Sequence, residues 1–191
     1  MNGAGQYRVN EIFCSLQGEG AHTGTPAVFV RFSGCNLACP FCDTDFSAYT
    51  VMTADGIMEE INKYSCTFVI LTGGEPSLQI DDKLIELLHN NNKYICVETN
   101  GTHILPENID WVTCSPKENT KILLNKADEL KVVYLGQEVE HWRQTILARH
   151  YFLQPCYDKT NGANTQQTIN YILQHPWWRL SLQTHKLTGI R

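Results

Sequence analysis

Two short runs of the chain are continuously apolar, and they constrain the fold more than any other feature. Residues 68–71 read Phe-Val-Ile-Leu, and residues 95–97 read Ile-Cys-Val. A strand covered by helices on both faces has this pattern, whereas a strand with one face in water alternates between apolar and polar residues. Segments with helical periodicity separate these strands from their neighbours along the chain. The sequence therefore predicts an α/β fold built on parallel strands.

The same patterns give an element map. We expect strands at residues 7–13, 27–32, 67–71, 94–99, 111–114, 129–134, 150–153 and 180–183. We expect helices at residues 54–64, 80–90, 138–148 and 166–175, with Asn164 as the N-cap of the last one. A complete eight-stranded barrel typically needs about 250 residues, and this chain has 191. We therefore expect a single domain, residues 1–191, built as an open, incomplete parallel β/α barrel.

The composition argues against two classes of partner, nucleic acids and membranes. The chain carries 15 basic and 20 acidic side chains, with no basic cluster, which argues against a nucleic-acid partner. No apolar stretch reaches the roughly 20 residues that cross a bilayer, so we expect no membrane partner. The N-terminal residues lack the basic and apolar regions of a signal peptide. The 8 cysteines therefore predict a reducing, cytoplasmic setting rather than a disulfide framework.

Three of these cysteines, Cys35, Cys39 and Cys42, form a C-x3-C-x2-C array. Three thiolates can hold three irons of a four-iron cluster and leave the fourth iron open to a small molecule. A structural zinc site is the alternative, but it usually needs four ligands arranged as two pairs. The sequence has no second C-x2-C or H-x3-H pair, although His22 or Cys14 could supply a fourth ligand. Cys14 also stands apart because it lies beside a glycine-rich loop.

A second motif follows the strand expected at residues 67–71. It reads Thr72-Gly73-Gly74-Glu75-Pro76. The glycines let a ligand approach the backbone closely, and the carboxylate can accept hydrogen bonds from an ammonium group. Alone, this segment is equally an ordinary strand–helix turn. The segment follows the first strand expected after the cysteine array, and this position favours the ligand-binding interpretation.

Together the two motifs resemble those of the radical S-adenosylmethionine (SAM) superfamily. Cys35, Cys39 and Cys42 match its cluster ligands, and residues 72–75 match its segment that receives the SAM amino group. The resemblance implies a partial parallel β/α barrel of the radical SAM type, a [4Fe-4S] cluster and SAM. In such enzymes one electron cleaves SAM to methionine and a 5′-deoxyadenosyl radical, which abstracts hydrogen from the substrate. No side chain is then expected to be the abstracting group.

More of the chain resembles a narrower family, the 7-carboxy-7-deazaguanine synthases. The segments that carry this resemblance are residues 10–20, which include Leu-Gln-Gly-Glu-Gly, 24–32, 42–44 (Cys-Asp-Thr), 72–76, 98–101 (Glu-Thr-Asn-Gly), 115–117 (Ser-Pro-Lys) and 182–186 (Leu-Gln-Thr-His-Lys). The resemblance implies a lyase that converts 6-carboxy-5,6,7,8-tetrahydropterin to 7-carboxy-7-deazaguanine and ammonia, in queuosine and 7-deazapurine biosynthesis. It also implies Mg²⁺, a homodimer and a flavodoxin- or ferredoxin-type reductant.

The resemblance further assigns residues to ligands. The pterin-binding residues are expected to be Leu16, Gln17, Gly18, Glu19, Arg31, Thr72, Gln183 and His185. The SAM-binding residues are expected to be Phe41, Asp43, Gly74, Glu75, Glu98, Asn100, Ser115, Pro116, Lys117 and Gln154. Thr44 is the expected Mg²⁺ ligand, since Mg²⁺ prefers hard oxygen donors.

The residue chemistry suits these assignments, and each has a structural alternative. Arg31 can grip a carboxylate with two parallel hydrogen bonds, or it can form a surface ion pair. Glu19 can accept from pterin N–H groups, or it can be a solvated residue in a glycine-flanked turn. Thr44 can cap a turn, Lys117 can be solvated, and His185 can be a structural histidine.

Two other functions compete with the synthase. One is a radical SAM activase that places a glycyl radical on a partner protein, which would need a docking face rather than a loop suited to a small polar ligand. The other is an iron–sulfur carrier or zinc module, which would have no use for the Gly-Gly-Glu-Pro turn at a strand end.

Overall fold

Parallel strands dominate both of the units into which the chain divides. A computed structural model describes residues 5–42, 44, 45, 47–157 and 162–191. Unit 1 comprises residues 1–15, 26–99 and 103–112, and unit 2 comprises residues 16–25, 100–102 and 113–191.

Unit 1 carries five strands in the spatial order β3-β1-β2-β4-β5. They are β1 (Gln6–Leu16), β2 (Pro26–Phe32), β3 (Thr50–Thr53), β4 (Phe68–Gly73) and β5 (Tyr94–Thr99). β2, β4 and β5 pair in parallel, while β3 pairs antiparallel with β1. Two helices belong to this unit, α1 (Ala54–Ile61) and α2 (Asp82–Asn90).

The core of unit 1 lies between these strands and helices. Val69 and Leu71 of β4 and Ile95 and Val97 of β5 are fully buried, as the continuous apolar runs predict. The apolar stripe of α2 is buried through Leu84, Ile85 and Leu88, and α1 contributes Ala54, Ile57, Met58 and Ile61. The α/β prediction with parallel strands covered by helices is confirmed for this unit.

Unit 2 carries strands in the order β6-β7-β8-β9, all parallel. They are β6 (Trp111–Cys114), β7 (Lys126–Tyr134), β8 (Leu147–Pro155) and β9 (Arg179–Leu180). The helices are α3 (Glu140–Thr145), α4 (Gly162–Gln174) and α5 (Thr184–Thr188). Trp178, which is 1% exposed, anchors the segment after α4, because its indole N–H donates to Glu140 over 2.7 Å.

Several expected boundaries are wrong. The helix expected at 138–148 ends at Thr145, because the chain from Leu147 onward pairs with β7 as β8. Asn164 does not cap α4: the helix begins at Gly162, and the Asn164 carbonyl accepts a hydrogen bond from Thr168 inside it. The strand expected at 180–183 is confined to Arg179–Leu180. The sequence analysis missed β3 and α5, both short elements.

Among the described residues, none of the helices has the length and apolar character needed to cross a membrane.

Candidate functional site

The cysteine array lies on the loop that follows β2. Cys35 and Cys39 are half-buried and Cys42 is exposed. The Cys42 N–H donates to the Cys39 carbonyl over 3.0 Å, which forms a turn, and the Leu37 N–H donates to the Cys35 Sγ over 3.4 Å. Burial raises the pKa of the Cys35 thiol, and the negative charges of Glu75, Cys39 and Cys42 raise it further.

This electrostatic setting fits an iron–sulfur cluster. The negative charges that oppose ionisation of the Cys35 thiol call for a positive partner, and cluster iron would supply it. Among the described residues, no three His, Cys, Asp or Glu side chains converge as ligands of a single metal ion.

The Gly-Gly-Glu turn is docked directly onto this loop. Parallel pairing places Phe32 of β2 opposite Gly73 of β4. The Gly74 N–H donates to the Phe32 carbonyl, and the Glu75 N–H donates to the Gly34 carbonyl, each over 2.9 Å. A Cβ atom on Gly74 would lie 2.0 Å from the Gly34 oxygen, so only glycine permits this approach. The structure thus brings together the two superfamily motifs.

Glu75 is the buried carboxylate of this turn, at 1% exposure. Its Oε1 accepts from the Ser77 N–H over 3.1 Å and from the Thr99 hydroxyl over 2.6 Å. These two donors fix its orientation. Thr99 has no predicted role, although it lies in the Glu-Thr-Asn-Gly segment that carries the family resemblance. Its neighbour Glu98 is half-buried on β5.

Arg31 and Thr72 are opposite each other on β2 and β4. The Arg31 Nε donates to the Glu11 Oε1 over 2.9 Å, and the side chain is 24% exposed. Its guanidinium carbon lies 5.8 Å from the centre of the Phe13 ring. The ion-pair alternative for Arg31 is therefore present in this structure, with the Nε as donor, one of the five N–H donors of the guanidinium.

Three further predicted site residues, Phe41, Asp43 and Thr44, lie within or just after the cysteine array in the sequence. Phe41 and Thr44 are half-buried, and the Thr44 carbonyl is 3.8 Å from the Cys42 Sγ. Asp43 lies outside the described residues. The role of Thr44 in binding Mg²⁺ remains a prediction.

The Leu-Gln-Gly-Glu segment of unit 2 is held by the C-terminal motif. Leu16 is 41% exposed, whereas Gln17 is 9% exposed. The Gly18 carbonyl accepts from both the backbone N–H and the hydroxyl of Thr184, each over 2.9 Å. His185 packs so closely that a Cβ atom on Gly18 would lie 2.3 Å from its Nδ1. Two segments far apart in the sequence thus form one local structure.

Glu19 forms a buried ion pair at the same place. Its Oε2 lies 2.7 Å from the Nζ of Lys131, and the two side chains are 18% and 5% exposed. The Gln183 amide donates to the Glu19 Oε1 over 2.9 Å. Burial alone would raise the pKa of Glu19, but the Lys131 ammonium and these hydrogen bonds lower it to about 2. The solvated-turn alternative for Glu19 is wrong.

Lys131 and two further residues that hold this loop, Glu129 and Ser181, are not among the residues predicted from the sequence. Glu129 is 2% exposed and accepts from the Ala21 N–H over 2.8 Å; burial raises its pKa. Ser181 accepts from the Gly20 N–H over 3.0 Å and donates to Gln154 over 2.9 Å. Lys131 is the charged residue of the otherwise apolar run 130–134, and a lysine within a buried strand usually has an acidic partner.

The other predicted SAM-binding residues of unit 2 are anchored locally. Asn100 is 7% exposed, and its Oδ1 accepts from the Thr102 N–H and hydroxyl. Pro116 is buried. The Lys117 ammonium donates to the carbonyl and hydroxyl of Ser115 over 2.6 and 2.8 Å. Lys117 is therefore not a freely solvated lysine.

Comparison with known proteins defines the class first. The family model of the radical SAM superfamily matches residues 29–139, which is more than half of the chain and includes both docked motifs. This protein is thus a radical SAM protein, whose site combines a [4Fe-4S] cluster with SAM.

Similar proteins then define the family. A 7-carboxy-7-deazaguanine synthase from Bacteroides thetaiotaomicron is 59% identical over 184 residues, which cover 96% of this chain and 98% of the relative. A second 7-carboxy-7-deazaguanine synthase, from Bradyrhizobium diazoefficiens, is 42% identical, and the match covers 97% of this chain and 99% of that relative. The crystal structure of QueE from Escherichia coli matches with a TM-score of 0.81 at 29% identity, over 93% of each chain. The chain belongs to the 7-carboxy-7-deazaguanine synthase family.

This membership confirms the expected fold class, an incomplete parallel β/α barrel of the radical SAM type. It also favours the synthase over the glycyl-radical activase, and a SAM-dependent cluster over a zinc module.

Proposed function

We propose that this chain converts 6-carboxy-5,6,7,8-tetrahydropterin to 7-carboxy-7-deazaguanine and ammonia. The observation that carries the proposal is the partly buried hydrogen bond between Gln183 and Glu19, together with His185 packed on Gly18. A carboxylate has about four acceptor positions, so Glu19 has capacity for pterin N–H groups besides its pair with Lys131. An acceptor that stays ionised because its pKa is about 2 suits the donor edge of a pterin ring.

The reacting cofactors belong to the cysteine loop and the Gly-Gly-Glu turn. Cys35, Cys39 and Cys42 would ligate the cluster, and Glu75 with the turn backbone would hold the SAM amino group. When bound, the cluster and SAM supply the radical that abstracts hydrogen from the substrate. The further SAM contacts that we propose are Phe41, Asp43, Gly74, Glu98, Asn100, Ser115, Pro116, Lys117 and Gln154.

The substrate carboxylate would be held from β2 and β4. Arg31 and Thr72 are opposite each other there, and a guanidinium with an adjacent hydroxyl is a suitable carboxylate clamp. We propose that Leu16, Gln17 and Gly18 contact the ring, and that Thr44 binds Mg²⁺ beside the carboxylate.

The wider setting also remains a proposal. We infer a homodimer, since dimers are the commonest soluble assemblies, and a flavodoxin or ferredoxin as reductant. A cytoplasmic location follows from the reducing conditions that an exposed cluster iron requires. We also retain the proposal that residues 1–191 act as one radical SAM domain.

Anaerobic turnover tests the proposed reaction. Reconstituted protein, reductant, SAM, Mg²⁺ and 6-carboxytetrahydropterin would be mixed, and 7-carboxy-7-deazaguanine would be followed by chromatography. Product in excess over the SAM consumed supports the proposal. Deoxyadenosine without this product contradicts it and directs attention to a different substrate or to a protein partner.

Two variants separate the cofactor and substrate assignments. Cys39→Ala should abolish cluster absorbance and all SAM cleavage, while Cys156→Ala, a matched thiol outside the array, should retain both. Arg31→Ala should weaken pterin binding and leave uncoupled SAM cleavage largely intact. Loss of SAM cleavage in Arg31→Ala would instead assign Arg31 a structural role.

A further inference from the structure

Cys14 and Cys66 form a thiol pair that the proposed function does not use. They are 52 residues apart in the sequence, yet their Sγ atoms are 3.3 Å apart. Cys14 lies on β1, and Cys66 lies in the segment that leads into β4. The contact therefore joins two parts of unit 1 whose proximity the sequence does not reveal.

The backbone on both sides of the contact is fixed, so the pair is preformed. Phe13, next to Cys14, stacks on Phe29 with ring centres 5.1 Å apart. On the other side, the Lys93 ammonium donates to the Cys66 carbonyl over 3.3 Å. The Tyr94 N–H donates to the carbonyl of Thr67, which follows Cys66, over 2.9 Å. Formation of an S–S bond of about 2.05 Å then needs the two sulfurs to approach by little more than 1 Å.

The two thiols differ in access. Cys14 is exposed, whereas Cys66 is half-buried and packs against the apolar core of unit 1. A dissolved oxidant therefore reaches the Cys14 sulfur first, and the Cys66 sulfur is the neighbour that can displace it. Solvent access and a neighbouring resolving thiol are two of the features of redox-responsive cysteine pairs.

We propose that Cys14 and Cys66 form a redox modification site that a small-molecule disulfide converts to an intramolecular disulfide. The Cys14 thiolate attacks one sulfur of glutathione disulfide and releases one glutathione thiolate, which leaves a mixed disulfide on Cys14. The Cys66 thiolate then attacks the Cys14 sulfur and releases the second glutathione. The protein loses two protons and two electrons, and one glutathione disulfide is reduced to two glutathione molecules.

The environment of Cys14 predicts a pH dependence for this exchange. Partial burial raises the pKa of the Cys14 thiol, and its hydrogen bond with Cys66 raises it further. Because the thiolate is the nucleophile, the rate of oxidation should rise about tenfold per pH unit below that pKa.

Differential alkylation of the cluster-loaded protein tests the proposal. The holoenzyme would be equilibrated anaerobically with glutathione buffers of increasing disulfide fraction, alkylated, and digested without reduction for mass spectrometry. We expect a peptide pair linked through Cys14 and Cys66 with a mass loss of about 2 Da, at unchanged iron content. Oxidised protein should also unfold at a higher denaturant concentration, since the link restricts the unfolded chain.

Two variants and a control make the result decisive. Cys66→Ser should accumulate the glutathione adduct on Cys14, a gain of about 305 Da, and Cys14→Ser should form neither the link nor the adduct at Cys66. Cys156→Ser should behave as the wild type. Alkylation of both thiols at every glutathione ratio, or a stable glutathione adduct on wild-type Cys14, would overturn the proposal.

Discussion

Single residues set the closest approaches and the charges of the candidate site. Gly74 has no side chain where a Cβ atom would meet the Gly34 carbonyl. Lys131 supplies the positive charge that Glu19 needs in a buried position. Both residues also act on the geometry of neighbouring groups, so their substitution should change the shape and the charge of the site.

Gly74→Ala should disrupt the docking of the Gly-Gly-Glu turn on the cysteine loop. The added methyl would lie 2.0 Å from the Gly34 oxygen, and both backbones would have to move apart at a cost of about 1–3 kcal/mol. We expect at least about tenfold slower SAM cleavage, which corresponds to about 1.4 kcal/mol. Gly56→Ala is the matched control: its Cβ meets nothing closer than 3.4 Å, and alanine in a helix should be neutral or stabilising. Equal activities of the two variants would contradict the argument.

Lys131→Met should leave Glu19 buried without its cation. Breaking a buried pair by removing one partner typically costs about 3–5 kcal/mol. We expect the free energy of unfolding to fall by that amount in chemical denaturation, and the pKa of Glu19 to rise. The double variant Lys131→Met with Glu19→Gln should recover part of the loss, because residue 19 then carries no charge that needs the Lys131 ammonium. The absence of any recovery would show that Lys131 acts by packing alone.

At the scale of elements, strand register and helix capping place the motifs. Parallel pairing of β2 with β4 aligns the cysteine loop with the Gly-Gly-Glu turn. The α2 helix then begins at Asp82, with Asp81 as its N-cap. The Asp81 Oδ1 accepts from the Leu84 N–H over 3.0 Å and from the Tyr7 hydroxyl over 2.6 Å. One carboxylate therefore connects the start of α2 to strand β1.

Asp81→Ala should cost more stability than the loss of an ordinary cap. The cap itself contributes about 1 kcal/mol, and the hydroxyl of Tyr7, a residue 1% exposed, would lose its acceptor at a further cost of about 1–3 kcal/mol. Thr53→Ala removes the corresponding cap of α1, where the side chain accepts from the Gly56 N–H. Thermal unfolding should show a clearly larger loss for Asp81→Ala. Similar losses would show that the bond with Tyr7 contributes little.

At the scale of the whole molecule, buried carboxylates make stability depend on pH. The pKa of Glu19 is lowered from 4.5 to about 2 in the folded chain. A lowered carboxyl pKa stabilises the folded state above the unfolded pKa, and this contribution is lost as the pH falls through the folded pKa. The raised pKa of Glu129 acts in the opposite direction, so only a comparison of variants isolates Glu19.

Glu19→Gln should remove the Glu19 contribution to acid sensitivity. Between pH values of about 4.5 and 2, the stability advantage of the wild type over this variant should shrink by about 1.4 kcal/mol per pH unit. Denaturant unfolding of the cluster-free protein at several pH values measures this difference. A difference that stays constant through the range would show that Glu19 does not titrate there.

The sequence determined the α/β class, the parallel strands and the identity of the two motifs, because continuous apolar runs and cysteine spacing are local properties of the chain. It did not determine where short elements begin and end. Residues 147 and 148 have a helical pattern in the sequence, but they belong to β8 because they pair with β7. Nor did it indicate Thr99, Glu129 or Ser181, since polar residues of these types are common at strand ends.

Only the tertiary structure decided which distant residues meet. Glu19 and Lys131 are separated by most of the chain, as are Gly18 and Thr184, yet each pair is in contact. Burial makes an unpaired charge or donor costly. A buried polar group therefore needs a partner from a neighbouring strand or helix end, and that neighbour can be distant in the sequence. Local patterns predict most of the elements and the proposed ligands of the cluster, whereas these partners depend on how the strands of each unit pack.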